Sequence, residues 1–161
     1  MTHSSVVTLL EDTAKSLGDN VRFGYGALDD FNSISNKVFP FIWLNPLKGE
    51  FMTNDSGPNS TVDFECELFF MDADNPKGAE RDTADTWDKS HDLMSQFVFK
   101  LNRFIMDDSE YTDDISSNLV LLENVRFESG RKATGDALSG WTLKFNLLVP
   151  VEFDYCSIYE S

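Results

Sequence analysis

Residues 141–155 read WTLKFNLLVPVEFDY, and their large side chains alternate with mostly polar ones. The apolar positions, which share one face of an extended chain, are Trp141, Leu143, Phe145, Leu147, Val149, Val151, Phe153 and Tyr155. A period of two residues is typical of a β-strand with one buried face. Pro150 lacks the N–H that a ladder hydrogen bond needs, so it predicts a bend, a bulge or an edge position. The stretch therefore predicts a long strand with a break near Pro150.

Residues 61–71 alternate in the same way, and residues 119–127 (LVLLENVRF) predict a third strand. In the first of these, the predicted inward side chains are Val62, Phe64, Cys66, Leu68 and Phe70, and the predicted outward acidic side chains are Asp63, Glu65 and Glu67. Three like charges at alternate positions repel one another unless a neighbouring strand supplies counter-charge. Lys144 and Arg126 lie on predicted strands that could supply it.

Two segments have the periodicity of amphipathic helices. Residues 4–17 repeat apolar side chains at helical spacing and stop before Gly18. A longer helix is predicted over residues 84–105, with Asp82 or Thr83 as its N-cap. Its apolar stripe consists of Trp87, His91, Met94, Val98, Leu101 and Ile105, widened by Leu93, Phe97 and Phe104. We expect this longer helix to lie across the sheet.

Shorter segments lie between these elements. Residues 21–26 predict a short strand, whose glycines indicate a bulge or a close approach by another backbone. Residues 38–44 are continuously apolar and predict a strand buried on both faces. Residues 28–37 predict a polar loop. Turn-forming residues at 53–60 predict a hairpin tip or a long connection, and those at 129–140 predict an antiparallel hairpin with a long tip.

Length and element order together predict the fold class. The chain has 161 residues, of which 41% are hydrophobic, so it can fill one core without a disulfide or a metal. The order predicts an α+β fold in a single domain over residues 1–161. Its sheet is mainly antiparallel or mixed, and it is flanked by an N-terminal helix and one long amphipathic helix.

The charge balance restricts the possible partners. Thirteen basic residues against 28 acidic ones give a formal net charge of −15, which opposes binding to phosphate backbones and anionic lipid. The sequence contains no apolar run of membrane-spanning length, and residues 1–16 lack the basic start and long apolar stretch of a signal peptide. We therefore expect an intracellular protein with no membrane partner.

The residues that carry chemistry are sparse. Residues 72–75 begin like a calcium loop, but Pro76 stands where a ligand oxygen is needed. His91 lies on an apolar stripe, which favours a core imidazole bonded to a carbonyl, and Cys66 points inward as a small buried hydrophobe. Residues 24–26 (GYG) lack the third glycine of a dinucleotide fingerprint. We predict no catalytic residue, no metal site and no cofactor.

The outward carboxylates Asp63, Glu65 and Glu67 have two interpretations. A pair of carboxylates can perform acid–base catalysis, but only where apolar walls shift their ionisation. On a solvent face they form a solvated or lumen-facing stripe, which is the favoured interpretation here. The long polar connections also indicate segments that partners order.

The order of elements, with a helix over residues 4–17 and a closing LKFNLLVPVEFDY, resembles that of the tail-terminator and neck-ring proteins of tailed bacteriophages. The resemblance covers most of the chain as a pattern and includes no diagnostic motif. It implies a structural protein of the virion tail or neck, assembled in the host bacterial cytoplasm.

The same resemblance implies a closed ring, usually of six copies for terminators and twelve for neck rings, with DNA passing through the lumen. Other phage neck or tail proteins would be its partners, and DNA would pass without specific binding. An acidic lumen agrees with the charge of −15 per copy, because it would keep the duplex from adhering. A ring needs one patch to meet a different patch on its neighbour. The candidate lumen or interface residues are Asp63, Glu65, Glu67, Arg131 and Lys132. Across the interface, the basic pair at 131–132 could meet the acidic residues 63–67 or 107–114 of a neighbour.

Two other functions fit the same sequence. A small acidic binding or inhibitor protein would mask a basic partner through its negative charge. An enzyme of unrecognised type is disfavoured by the sparse inventory of reactive residues. The sequence therefore favours a non-enzymatic ring subunit, with the acidic inhibitor as the alternative.

Overall fold

The computed structural model describes residues 3–54, 57–73, 80–107, 120–131 and 138–150. In chain order its elements are α1 (His3–Lys15), β1 (Arg22–Tyr25), α2 (Leu28–Ser33), β2 (Phe41–Leu44), β3 (Lys48–Asn54), β4 (Gly57–Ala73), α3 (Glu80–Asp107), β5 (Leu121–Arg131) and β6 (Leu138–Pro150). The strands form one mixed sheet that α1 and the long α3 flank. The predicted α+β fold is confirmed.

The sheet has the strand order β1-β2-β4-β6-β5, and β3 also pairs with β4. Only the β1–β2 pair is parallel among the described strands. β2 and β3 share one edge of β4, with Leu44 opposite Leu68 and Lys48 opposite Glu65. Between them the chain breaks at Asn45-Pro46, where a proline cannot continue the ladder. The long β4 is thus paired by two short strands on one side and by β6 on the other.

The main core lies between the sheet and the two helices α1 and α3. The alternation predicted for β4 and β6 is confirmed over the described residues, whose fully buried side chains include Cys66, Leu68, Leu143 and Leu147. The predicted inward positions 151, 153 and 155 lie outside the described ranges. Phe97 of α3 packs edge-on against Phe70 of β4, with ring centroids 5.3 Å apart. Lys100 of α3 donates a hydrogen bond to the carbonyl of Ser16, just after α1. The two helices are therefore held to each other as well as to the sheet.

Gly140 marks the closest approach of β6 to β4. A Cβ built at this position would lie 1.8 Å from the carbonyl oxygen of Phe70. No side chain fits in that space, so a glycine is required for β6 to pair here.

The predicted polar loop over residues 28–37 is wrong, because α2 occupies its first half. α2 lies on the other side of the sheet, which we call the outer face, and its Phe31 is fully buried. Phe31, Phe41, Trp43 and Met71 form a second, smaller core. A Cβ added to Gly24 would lie 2.4 Å from the ring of Trp43. The close approach predicted for the first strand is therefore made by an aromatic side chain. A single buried phenylalanine between acidic and polar residues gives too little periodicity to predict such a short helix.

Several element boundaries differ from those that the sequence predicts. The helix α3 begins at Glu80, so Asp82 and Thr83 lie within the helix and neither is its N-cap. Asn54 pairs with Gly57, which confirms a hairpin at 53–60, and β5 pairs antiparallel with β6 as far as Arg131 and Ser139, as predicted. In both places the strands extend into the turn-forming residues. Ladder pairing with a neighbouring strand overrides local turn propensity. Within the described ranges, no helix is both long and apolar enough to cross a membrane.

Candidate interaction surfaces

The predicted carboxylates Asp63, Glu65 and Glu67 all lie on the outer face, but two of them have partners. Asn146 on β6 donates a hydrogen bond from Nδ2 to Asp63 at 2.8 Å. Asn45 donates one to Glu67 at 2.9 Å. Glu65 is exposed and has no hydrogen-bond or ion-pair partner among the described residues. Among the described residues, the stripe therefore presents one free carboxylate and two that accept hydrogen bonds from asparagines, one on β6 and one just after β2.

Lys144 supplies the counter-charge on this face, as predicted. Its Nζ lies 3.3 Å from Glu67 and 3.4 Å from Glu128, so it bridges β4 and β5 from β6. The hydrogen bond and charge of Glu67, followed by those of Glu128, raise the pKa of Lys144. Arg126, the other predicted counter-charge, forms no ion pair with the carboxylates at 63, 65 and 67 in the described part of the chain. Arg126 lies on β5, two strands away from β4, and this separation explains the difference.

A depression of about 180 Å³ lies on the outer face where β3, β4 and β6 meet. Lys48 is opposite Glu65 in register, and Glu50 is opposite Asp63, so both signs of charge line it. In the described ranges, no three His, Cys, Asp or Glu side chains come together as metal ligands would. An open depression of mixed charge is typical of a solvated surface.

The side chains of the two predicted basic residues, Arg131 and Lys132, lie outside the described part of the structure. Arg131 is the last residue of β5, and its side chain is outside the description. Lys132 and the acidic residues 108–114 lie outside the described ranges. The pairing of Arg131 and Lys132 with an acidic segment of a neighbour therefore stays a prediction.

An apolar groove, which we call the edge groove, lies between α3 and β5 and has a volume of about 410 Å³. Its lining residues are Met94, Ser95, Val98, Phe99, Asn102, Leu122, Val125, Phe127 and Leu143. Phe99 is 71% exposed, Phe127 is 54% exposed and Val125 is 43% exposed. Contiguous exposed apolar surface is typical of sites that interact with another molecule.

The edge groove was not predicted from the sequence. Its signal was the run Phe97-Val98-Phe99, because three consecutive apolar residues on a helix cannot all face one core. The structure buries Phe97 completely and leaves Phe99 outside. Further exposed apolar side chains on α3 and β5 are Phe104, Met106 and Leu121.

The strand beside the edge groove has an open edge. β5 pairs with β6 on one side and with no described strand on the other. A β-bulge between Glu123 and Arg126 places two residues, Asn124 and Val125, opposite Phe145, and Asn124 has a φ of 52°. The unpaired N–H and C=O groups of such an edge are a template for another strand. The edge groove thus combines apolar side chains with backbone hydrogen-bonding groups that no described strand pairs.

Three aromatic side chains close one end of the edge groove. His91 lies edge-on to Trp141 and Phe127, with ring centroids 5.2 Å and 5.6 Å apart. Trp141 donates a hydrogen bond from Nε1 to the carbonyl oxygen of Trp87 at 2.9 Å. His91 is half-buried and packs against these rings, but the predicted hydrogen bond to a carbonyl is not found among the described residues. This cluster fixes the position of Phe127 on the strand.

No protein-family model matches this chain, and a search of curated proteins finds no match either.

Proposed function

We propose that the protein is a non-enzymatic structural subunit that assembles into a closed ring, of the kind that forms the head–tail connector or tail terminator of a tailed bacteriophage. The observation that carries this proposal is the edge groove beside the open edge of β5. A folded subunit that leaves such a surface uncovered gains free energy when another chain covers it.

The shape of this surface favours a heterologous contact. A ring requires one patch of a subunit to meet a different patch of the next subunit. The edge groove is concave and ends in an open strand edge, so its complement is a protruding extended segment and not a second groove. A contact that is not self-complementary builds a ring when the rotation between successive subunits closes, and an open filament when it does not.

The net charge of −15 supports the position of such a ring around DNA. On the outer face, Glu65 is exposed, and the stripe that contains Asp63 and Glu67 is acidic overall. A lumen lined by this face would repel phosphates, and the duplex would slide through without adhering. The same charge opposes close approach of subunits, so the apolar contact has to supply the free energy of assembly.

Sedimentation velocity over a wide concentration range, with negative-stain imaging of the large species, tests the proposal. We expect a discrete species of six or twelve copies at high concentration. Val125→Asp places a charge in the edge groove and should disperse that species. Asn32→Asp adds the same charge at an exposed position on α2, and we expect it to leave assembly intact. A chain that stays monomeric at every concentration contradicts the proposal.

A second function is favoured by the net charge of −15. An acidic protein of this size can mask a basic partner by charge complementarity, as inhibitor proteins do. This function predicts a monomer whose tight binding to a basic protein weakens steeply with added salt. Assembly through the edge groove predicts the opposite, because an apolar contact between like-charged subunits strengthens when salt screens their repulsion.

A further inference from the structure

We propose that residues 151–155 of one copy add as a strand to the open edge of β5 in the next copy, with Val151, Phe153 and Tyr155 in the edge groove. This inference rests on the ring proposed above and names its contact. It joins two features of the chain, the open edge of β5 and the sequence that follows β6.

The edge groove suits an extended occupant. Strand addition uses the free backbone groups of an edge for affinity and pockets for alternate side chains for specificity. β5 supplies the backbone groups, while Leu122, Val125 and Phe127 supply apolar positions on the side that α3 faces. A helix could not form ladder hydrogen bonds with this edge.

The segment after β6 has the matching pattern. It reads VEFDY, with apolar side chains at three alternate positions, so these side chains span roughly 13 Å when extended. From Leu122 to Phe127 the floor of the edge groove spans roughly 16 Å. In an antiparallel register that places Val151 beside Phe127, Phe153 meets Val125 and Tyr155 meets Leu122.

Charge makes the same register testable. It places Glu152 opposite Arg126, whose outward side chain is exposed and has no ion pair within the described ranges. Beyond the bulge the register places Asp154 opposite Glu123, which is also exposed. Opposite charges across a strand pair are favourable and like charges are unfavourable. The edge therefore contains one favourable and one unfavourable pair, and each can be tested separately.

The geometry of the sheet makes this contact intermolecular. Phe127 is opposite Leu143 on β6, seven residues before Pro150 and so roughly 23 Å from it along the strand. Val151 follows Pro150 directly, about 3.8 Å away from Cα to Cα. A chain cannot place its own Val151 beside its own Phe127. Only a neighbouring copy can supply the strand in this register.

Disulfide trapping between separately purified chains tests the contact. One chain carries Val125→Cys and the other carries Phe153→Cys, both in a Cys156→Ser background in which the remaining Cys66 is buried. After the two are mixed and mildly oxidised, we expect a covalent dimer that contains one chain of each kind. A control mixture in which Ser33→Cys replaces Val125→Cys should show at least ten-fold less dimer.

The outcomes separate this inference from the proposed function. If the unmodified protein forms rings but the mixed chains give no more dimer than the control, the inference is wrong and the ring stands. A single chain that carries both Val125→Cys and Phe153→Cys gives a further check. If its disulfide forms only within the chain and not between chains, the inference is also wrong. If the unmodified protein never self-associates, both proposals fail.

Charge variants give a second, independent measurement. We expect Arg126→Gln to weaken assembly and Glu123→Gln to strengthen it, each by roughly two-fold in the dissociation constant. Glu65→Gln changes the net charge as Glu123→Gln does, but it lies away from the edge. An effect of Glu65→Gln equal to that of Glu123→Gln would show that net charge alone is responsible and would overturn the assigned register.

Discussion

The ionisation of Cys66, a single residue on β4, depends on both faces of the sheet. Its side chain is fully buried in the main core, and its Sγ lies 3.8 Å from the carbonyl oxygen of Phe64. Burial raises the pKa of the thiol to about 12, with smaller contributions from the charges of Asp63 and Glu65. A thiolate is the reactive form of cysteine, so this thiol is inert in the folded protein. The inward position that alternation predicted for Cys66 is confirmed.

We predict that Cys66 makes the folded protein less stable at alkaline pH. The unfolded thiol ionises near its ordinary pKa of about 8.5, whereas the folded thiol keeps its proton up to about 12. Unfolding therefore releases a proton between these values, and stability is lost as the pH rises through them. In a Cys156→Ser background, Cys66→Ala should remove about 1 to 2 kcal/mol of this loss at pH 10, measured by denaturant unfolding at pH 7 and pH 10.

The reactivity of the same thiol provides the control. In the Cys156→Ser background, a thiol reagent at pH 8 should react with Cys66 only after denaturant unfolds the chain. Rapid reaction in the native protein would mean that the thiol is accessible, and the alkaline prediction would then lose its basis.

At the scale of elements, α3 presents different surfaces to the sheet and to the edge groove. Phe97 is fully buried against Phe70, while Phe99, two residues later, is 71% exposed. We predict that Phe97→Ala lowers the free energy of unfolding by about 3 to 5 kcal/mol. Phe99→Ala should change it by less than about 0.5 kcal/mol. Denaturant unfolding at a concentration where the protein is monomeric measures both.

The same pair of variants separates folding from assembly. Phe99→Ala removes a lining residue of the edge groove, so it should weaken self-association while leaving the monomer stable. A large loss of monomer stability in Phe99→Ala would show that this side chain belongs to the core, and the edge groove would not be a free surface.

The elements that the sequence predicted well are those whose pattern repeats over many residues. β4 and β6 alternate over ten or more positions, and the apolar stripe of α3 continues for several turns. A pattern of this length predicts the element even where single residues depart from it. α2 was missed because its burial depends on Phe31 alone. The ends of β5 and β6 were predicted too short, because their turn-forming glycines pair across the ladder, as Gly130 does with Gly140.

The interaction surfaces were predicted in part. Alternation placed Asp63, Glu65 and Glu67 on one face, and the sign of charge identified Lys144 as their partner. The amide partners Asn45 and Asn146 were not predicted, because they depend on the register of β4 with its neighbours. The edge groove was missed because it is formed by two elements that lie apart in the sequence and meet only in the folded chain.

At the scale of the whole molecule, the net charge of −15 dominates the encounter with nucleic acid. We predict no measurable binding to duplex DNA even at low ionic strength, where electrostatic attraction to a basic protein would be strongest. Fluorescence anisotropy of a labelled duplex, titrated with the protein in its assembled and its dispersed state, measures this. A measurable affinity in either state would contradict the proposed role of the acidic outer face.

The glycine at position 140 affects more than local packing. β4 and β6 pair over thirteen residue pairs, and a shift of two residues would preserve which side chains face inward, so burial alone does not distinguish the registers. A shifted β6 would bring Thr142 or Leu138 to the place where Gly140 meets the Phe70 carbonyl, and neither side chain fits there. The correct alignment of this long strand pair therefore depends on a single hydrogen atom at a position where any other residue would carry a carbon.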